Sequence, residues 1–151
     1  MNMVPEDING DVVTQRASWV FEMINSLRDL PIENKAEFLK NKHHVAAAES
    51  YLRRSLEALF DIGRHILAKK FAYPAAEYKE IAKGLSDRKV IIGDQVELMR
   101  KMAGYRNRMV HFYHEITPEE LHEICTNHLD EIKFLLERLL QWIKENKPTG
   151  T

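Results

Sequence analysis

Cysteine is nearly absent from this sequence. Cys125 is the single one among 151 residues, so no disulfide can close within the chain and no cysteine cluster can hold a metal. Cys125 sits in a helical pattern and is expected to be a small buried hydrophobe. Net charge is nearly absent too, at −1. A protein that coats nucleic acid or a charged membrane draws its affinity from neutralising phosphates, and a balanced chain does not suit that role. The balance still leaves room for an enzyme that touches a few phosphates. No apolar run approaches the roughly 20 residues that span a bilayer. Residues 1–10 are polar and acidic and lack the apolar centre of a signal peptide, so a cytoplasmic protein without membrane contact is expected. There is no strand-like alternation of useful length, no internal repeat and no low-complexity tract. A Gly-rich phosphate loop is missing, which argues against a nucleoside triphosphatase. The His-Glu-x-x-His metal pattern fails as well, because Thr126 stands where the second histidine after His122-Glu123 is required.

What remains is a helical protein. Hydrophobic residues make up 44% and charged residues 30% of the chain, the composition of a soluble globular domain of this length. Val13, Ala17, Val20, Ile24 and Leu27 recur at 4-3-4-3 spacing, which predicts a first helix ending near Pro31, with Trp19 and Met23 widening its apolar side. A short helical turn is expected over 33–39. Val45, Leu52, Leu56, Leu59, Gly63 and Ile66 then mark a long second helix, where Gly63 points to close approach of a neighbour. Glu57 and Asp61 on it are like charges at i and i+4, unfavourable on a bare helix unless solvated or facing cations. A shorter helix over 75–83 is expected to be capped by Gly84. The next helical segment runs over about 89–114, with Gly93 and Gly104 as soft points. Thr117-Pro118-Glu119-Glu120 is a strong helix start. From it Leu121, Cys125, His128, Ile132, Leu135, Leu139 and Trp142 predict one last helix to about Lys147. The expected architecture is all-α, an antiparallel four-helix bundle with one or two additional short helices. A flexible leader over 1–10, a single helical domain over 11–147 and a tail over 148–151 are expected.

One stretch is chemically dense. Tyr105 to His114 holds two arginines, an asparagine, two histidines and two tyrosines in ten residues. On a helix, Leu98, Met102, Tyr105, Met109 and Phe112 form an apolar stripe. Asn107 and His111 share a side turned away from it, and Arg106 and Tyr113 flank its edge. The polar groups are thus offered beside the apolar face, to solvent or to another subunit. An Arg-x-x-x-x-His spacing taken alone is weak, since such residues on an outer helix face are usually only solvated.

In context the pattern is specific. Arg106-Asn107-x-x-x-His111-x-Tyr113, after a long amphipathic helix and before a final one, resembles the signature of the HEPN superfamily. More narrowly it is similar to the HepT-like ribonuclease toxins and their Arg-x4-His-x-Tyr. The likeness extends through Tyr51 to Ile66 upstream and Tyr113 to Thr117 downstream, and covers about residues 10–145. It implies the four-helix HEPN bundle. It also implies a toxin of a type II toxin–antitoxin pair, a homodimer that cleaves RNA, with a small minimal nucleotidyltransferase antitoxin that can transfer AMP to the motif tyrosine, here Tyr113.

The residue chemistry fits such a reaction without a metal or other cofactor. His111 titrates near neutrality and can take the proton of a ribose 2′-hydroxyl. Arg106 can grip two oxygens of a phosphorane. Asn107 can orient His111 or hold a phosphate oxygen, and Tyr113 adds a hydroxyl and a stacking surface. On one continuous helix Arg106 and His111 lie about 140° apart, awkward around a single phosphate. Two copies across a twofold axis remove that difficulty. Metal binding is the chemical rival, through His111 and His114 at i and i+3 with His122 and His128 further on. His43 and His44 are expected at the surface and His65 partly buried. A non-catalytic HEPN module that binds nucleotide or a nucleotidyltransferase partner is the alternative of another class, and the intact Arg106, Asn107 and His111 are what it does not require.

Overall fold

A computed structural model describes residues 7–110 and 116–147. Among them are seven helices and no strand: α1 (Gly10–Arg28), α2 (Lys35–Lys40), α3 (Lys42–Phe71), α4 (Tyr78–Asp87), α5 (Asp94–Val110), α6 (Pro118–Asn127) and α7 (Leu129–Glu145). The all-α expectation holds, with α1, α3, α5 and α7 as the long members.

Helix α3 is the axis. Its 30 residues span about 45 Å at the usual rise, and each of the other six helices packs against it. Its buried residues therefore do not form one narrow stripe. Leu52, Leu56, Ala58, Leu59, Phe60, Ile62, Ile66 and Leu67 look in several directions, as a helix apolar nearly all round must when neighbours surround it. Helix α1 lies along it and buries Val13, Ala17, Val20, Met23, Ile24 and Leu27. Trp19 departs from the expected apolar side and is 38% exposed. Next in sequence to Val20, it is turned by about 100° from the packed stripe. At the start of α1 the Asn9 side chain accepts from the Asp11 and Val12 N–H groups, and the Asn9 N–H donates to His65 Nε2 on α3 at 3.0 Å. Burial, with Lys69 nearby, lowers the pKa of His65 from its ordinary value.

Gly63 lies where α4 crosses α3. A Cβ there would stand 2.9 Å from Leu85 Cδ1 and 3.1 Å from Ile81 Cγ2, both side chains fully buried. Gly84 plays the reciprocal part, with Leu67 Cδ1 at 3.0 Å and Tyr73 Cε1 at 3.2 Å from its hypothetical Cβ. Gly84 is therefore a packing residue inside α4 and not its cap. The helix starts and ends later than expected, at Tyr78 and Asp87. It stops through Lys89, at φ 58°. The Lys89 N–H donates to Ser86 O and the Val90 N–H to Leu85 O, the paired bonds of a Schellman motif, with Val90 and Leu85 both buried. Helix α5 consequently begins at Asp94, just after Gly93 at φ 58°, rather than near 89.

The final stripe is also divided. Leu121, Cys125, Ile132, Leu135 and Leu139 are buried as the spacing predicts. The axis breaks at His128, whose φ of −121° and ψ of 3° end α6 before α7 begins. His128 spends both ring nitrogens on side chains, with Nε2 2.9 Å from Glu123 and Nδ1 3.0 Å from Glu131. Asp130 and Glu131 occupy the first turn of α7, where carboxylates favour a new helix start. The short helices among the described residues are thus three, against the one or two expected. Among the described residues no helix is long and apolar enough to cross a membrane.

Gly63→Val should destabilise the bundle by about 1–3 kcal/mol through overpacking between α3 and α4. Urea unfolding checks this, and a midpoint equal to the wild type would show that the α3–α4 crossing is not closely packed.

Candidate active site

Arg106 and Asn107 stand on the last turns of α5. His111 and Tyr113 lie outside the described residues, as do Phe112 and His114. Around them, Met99, Met102 and Ala103 anchor α5 in the core, while Leu98, Tyr105 and Met109 are half-buried against it. Asn107 is half-buried beside Arg106.

The Arg106 side chain is only 19% exposed. Its Nη2 donates to Glu57 Oε2 at 3.0 Å. Its guanidinium carbon sits 4.2 Å from the centre of the Tyr78 ring, a close cation–π contact. Helix α3 thus fixes the edge of the guanidinium and α4 fixes its face. Tyr78 is shared with Arg64, 5.9 Å from the same ring. These contacts limit the rotamers of a long side chain whose freedom is otherwise costly to lose.

The like-charged pair on α3 faces cations. Glu57 Oε1 accepts from Arg53 at 2.9 Å while Oε2 takes Arg106. Asp61 pairs with Arg16 at 3.2 Å and Arg64 at 2.8 Å. Two half-buried carboxylates therefore hold four arginines drawn from α1, α3 and α5.

A second clamp brackets the motif. Arg108, near the end of α5, donates both terminal nitrogens to Glu120 in α6, each at 2.6 Å. The bond to Arg108 holds the Glu120 carboxyl below its usual pKa and that of Arg108 above its own. Thr117 Oγ1 caps α6 by accepting from the Glu120 N–H. The chain between these anchors contains His111 and Tyr113.

Two other histidines have structural employment. His122 Nε2 lies 2.6 Å from the Ile32 carbonyl, with the Phe38 ring 5.3 Å away. His128 is held by its two carboxylates. His43 is exposed, while His44, expected at the surface, is half-buried. Among the described residues no group of three or more His, Cys, Asp or Glu side chains is placed to hold a metal. Cys125 is buried, as expected, and desolvation pushes its thiol up to about 12.

The family model of HepT-like ribonucleases matches residues 21–139. The chain belongs to that family. No curated protein sequence matches it. Solved structures share the fold of this HepT-like chain. A tri-AMPylated HEPN toxin of Shewanella oneidensis in complex with MNT antitoxin has a TM-score of 0.79 at 18% identity, over 88% of this chain and 99% of that one. A toxin–antitoxin with AMP-PNP has a TM-score of 0.77 at 18% identity, over 87% and 99%. A mutant MntA–HpeT toxin–antitoxin gives 0.76 at 17%, over 87% and 99%.

Sequence reasoning singled out Arg106 as a candidate site residue but missed its two holders. Glu57 carried a signal, the unfavourable i, i+4 repulsion with Asp61. Tyr78 carried none, because nothing local distinguishes it from any aromatic at a helix start.

A double-mutant cycle with Arg108→Met and Glu120→Gln should give a coupling of about 0.5–1 kcal/mol at neutral pH, the range for a partly exposed ion pair. The folded-state pKa of Glu120 is depressed, so the coupling is fully present above the ordinary glutamate value and is lost as pH falls through the lowered folded-state value. A coupling unchanged between pH 7 and pH 3 would contradict the pairing.

Proposed function

We propose that this HepT-like chain is the toxin of a type II toxin–antitoxin pair, a metal-independent endoribonuclease whose site lies in a cleft shared by two copies. The observation that carries the reading is the held guanidinium of Arg106, stacked on Tyr78 and tied to Glu57, on a helix that leads directly to His111. Such preorganisation suits a group that must meet charge as it develops on a phosphate. In the proposed step His111 takes the proton of a ribose 2′-hydroxyl, and the oxygen attacks the adjacent phosphorus. The bond to the 5′-oxygen breaks, and that oxygen receives a proton. A cyclic phosphate and a free 5′-hydroxyl result. Arg106 holds the phosphorane oxygens, with Asn107 and Tyr113 in support.

The reading includes a homodimer, because on one continuous helix Arg106 and His111 would lie about 140° apart. It also includes a minimal nucleotidyltransferase antitoxin as partner, supported by the similar fold of toxins solved with MNT antitoxin, one of them tri-AMPylated. AMP on Tyr113 would bring a phosphodiester to Arg106 by a charge-assisted bond and fill space an RNA base needs. The alternative is a non-catalytic helical module for nucleotide or a nucleotidyltransferase. It leaves unexplained why an arginine is held from two sides.

Purified dimer should cleave single-stranded RNA in the presence of EDTA, and His111→Ala should lower the rate at least about 10²-fold, the usual scale for a general base. Activity lost on chelation and restored by a divalent ion would favour metal chemistry. Equal cleavage by His111→Ala would remove the histidine from the mechanism.

Co-expression with the partner nucleotidyltransferase should add mass in units of AMP to the wild type and not to Tyr113→Phe, and the modified protein should lose cleavage. Addition at another residue, or addition at Tyr113 with cleavage unchanged, would defeat the proposed regulation while leaving the ribonuclease reading standing.

A further inference from the structure

Beside the Arg106 clamp lies a recess between α1 and α3. It measures ≈ 240 Å³ and is lined by Arg16, Trp19, Arg54, Glu57, Ala58 and Asp61. Glu57 is its link to the site, since the same carboxylate holds Arg106 at 3.0 Å. The chain as a whole is almost neutral, but this face is not. Arg16, Arg53, Arg54, Arg64 and Arg106 line the recess or pair with its two carboxylates, so five positive charges face two negative ones. Arg54 is exposed and has no ion pair among the described residues. Trp19 is the other feature that lies outside the core. It is 38% exposed, off the buried stripe of α1, and so offers an indole surface beside the cations.

We infer that this recess is a binding subsite for one nucleotide of the single-stranded RNA flanking the cleaved bond, with the base against Trp19 and its phosphate at Arg54 and Arg16. This rests on the ribonuclease reading and deepens it. Aromatic stacking with a cationic track is how proteins hold single strands without reading sequence. The recess is small, at ≈ 240 Å³, which suits one base laid against Trp19 better than a folded RNA element. The two carboxylates do not cancel the attraction, because each already faces two arginines. They orient the guanidinium groups and leave the excess charge for phosphate.

The test uses the intact protein and a fluorescein-labelled single-stranded RNA of about ten nucleotides, 2′-O-methylated throughout so that it cannot be cut. Binding is followed by anisotropy for wild type, Trp19→Ala and Arg54→Gln. The expected results are a loss of affinity of about tenfold for Trp19→Ala and a fall of about 0.7 in the salt slope for Arg54→Gln, with the dimer unchanged by light scattering. Both variants should also cut an unmodified RNA with a raised KM and a nearly unchanged kcat. Wild-type affinity and salt slope in both variants would overturn the subsite. So would conversion of either variant to monomer, which would make the recess an interface between copies. Because the probe cannot react, binding that depends on Trp19 in a protein that never cleaves RNA would support the subsite and defeat the ribonuclease reading. Cleavage by the wild type with no effect of either substitution would do the reverse.

Discussion

Two carboxylates on the one helix that every other helix touches constrain the arrangement of this protein. Helix α3 is surrounded, so a polar residue on it must find partners or open a path to solvent. Glu57 and Asp61 do both, with side chains 28% and 33% exposed. Each gathers two arginines, and those arginines come from α1, α3 and α5. The face where three helices meet is therefore set by charge as well as by apolar packing. Arg106 is fixed as a consequence. The Arg108–Glu120 pair holds the far side of the same segment.

The apolar periodicities were sufficient to read the helices. Val13 to Leu27 and Leu52 to Ile66 appear in the structure as spaced, and Gly63 is the close-packing residue its place in the stripe suggested. The misread boundaries share a cause. Gly84 looks like a cap, but its lack of a side chain serves Leu67 and Tyr73, which lie elsewhere in sequence. The true stop of α4 uses Lys89 in the left-handed region, a conformation local propensity does not favour for lysine. The last stripe continues through His128 without a gap, yet the helix breaks there, where the imidazole pairs with Glu123 and Glu131 and a new helix starts at Leu129. The site was half legible. Arg106 and Asn107 follow from the motif, whereas the tie to Glu57 joins residues 49 apart and Tyr78 approaches from a third helix. A single sequence carries no sign of such pairings.

An almost neutral chain can still present a cationic face, because the arginines concentrate where α1, α3 and α5 converge. The chain belongs to the HepT-like ribonuclease family, and the held guanidinium of Arg106 is the group proposed to meet a phosphate. The proposed control by AMP uses the same chemistry, since a phosphodiester on Tyr113 would compete for the arginine proposed to hold RNA.

The central claim is that two copies complete one another's site, and complementation tests it most directly. Arg106→Ala and His111→Ala proteins, each inactive alone, are unfolded together, refolded as mixed dimers and assayed for RNA cleavage. In a shared cleft, the mixed dimer retains one arginine on one copy and one histidine on the other. A substantial fraction of wild-type activity, seen only after mixing, is the predicted result. Mixed dimers that form but remain as inactive as either parent would contradict the account, because Arg106 and His111 would then have to act within a single copy.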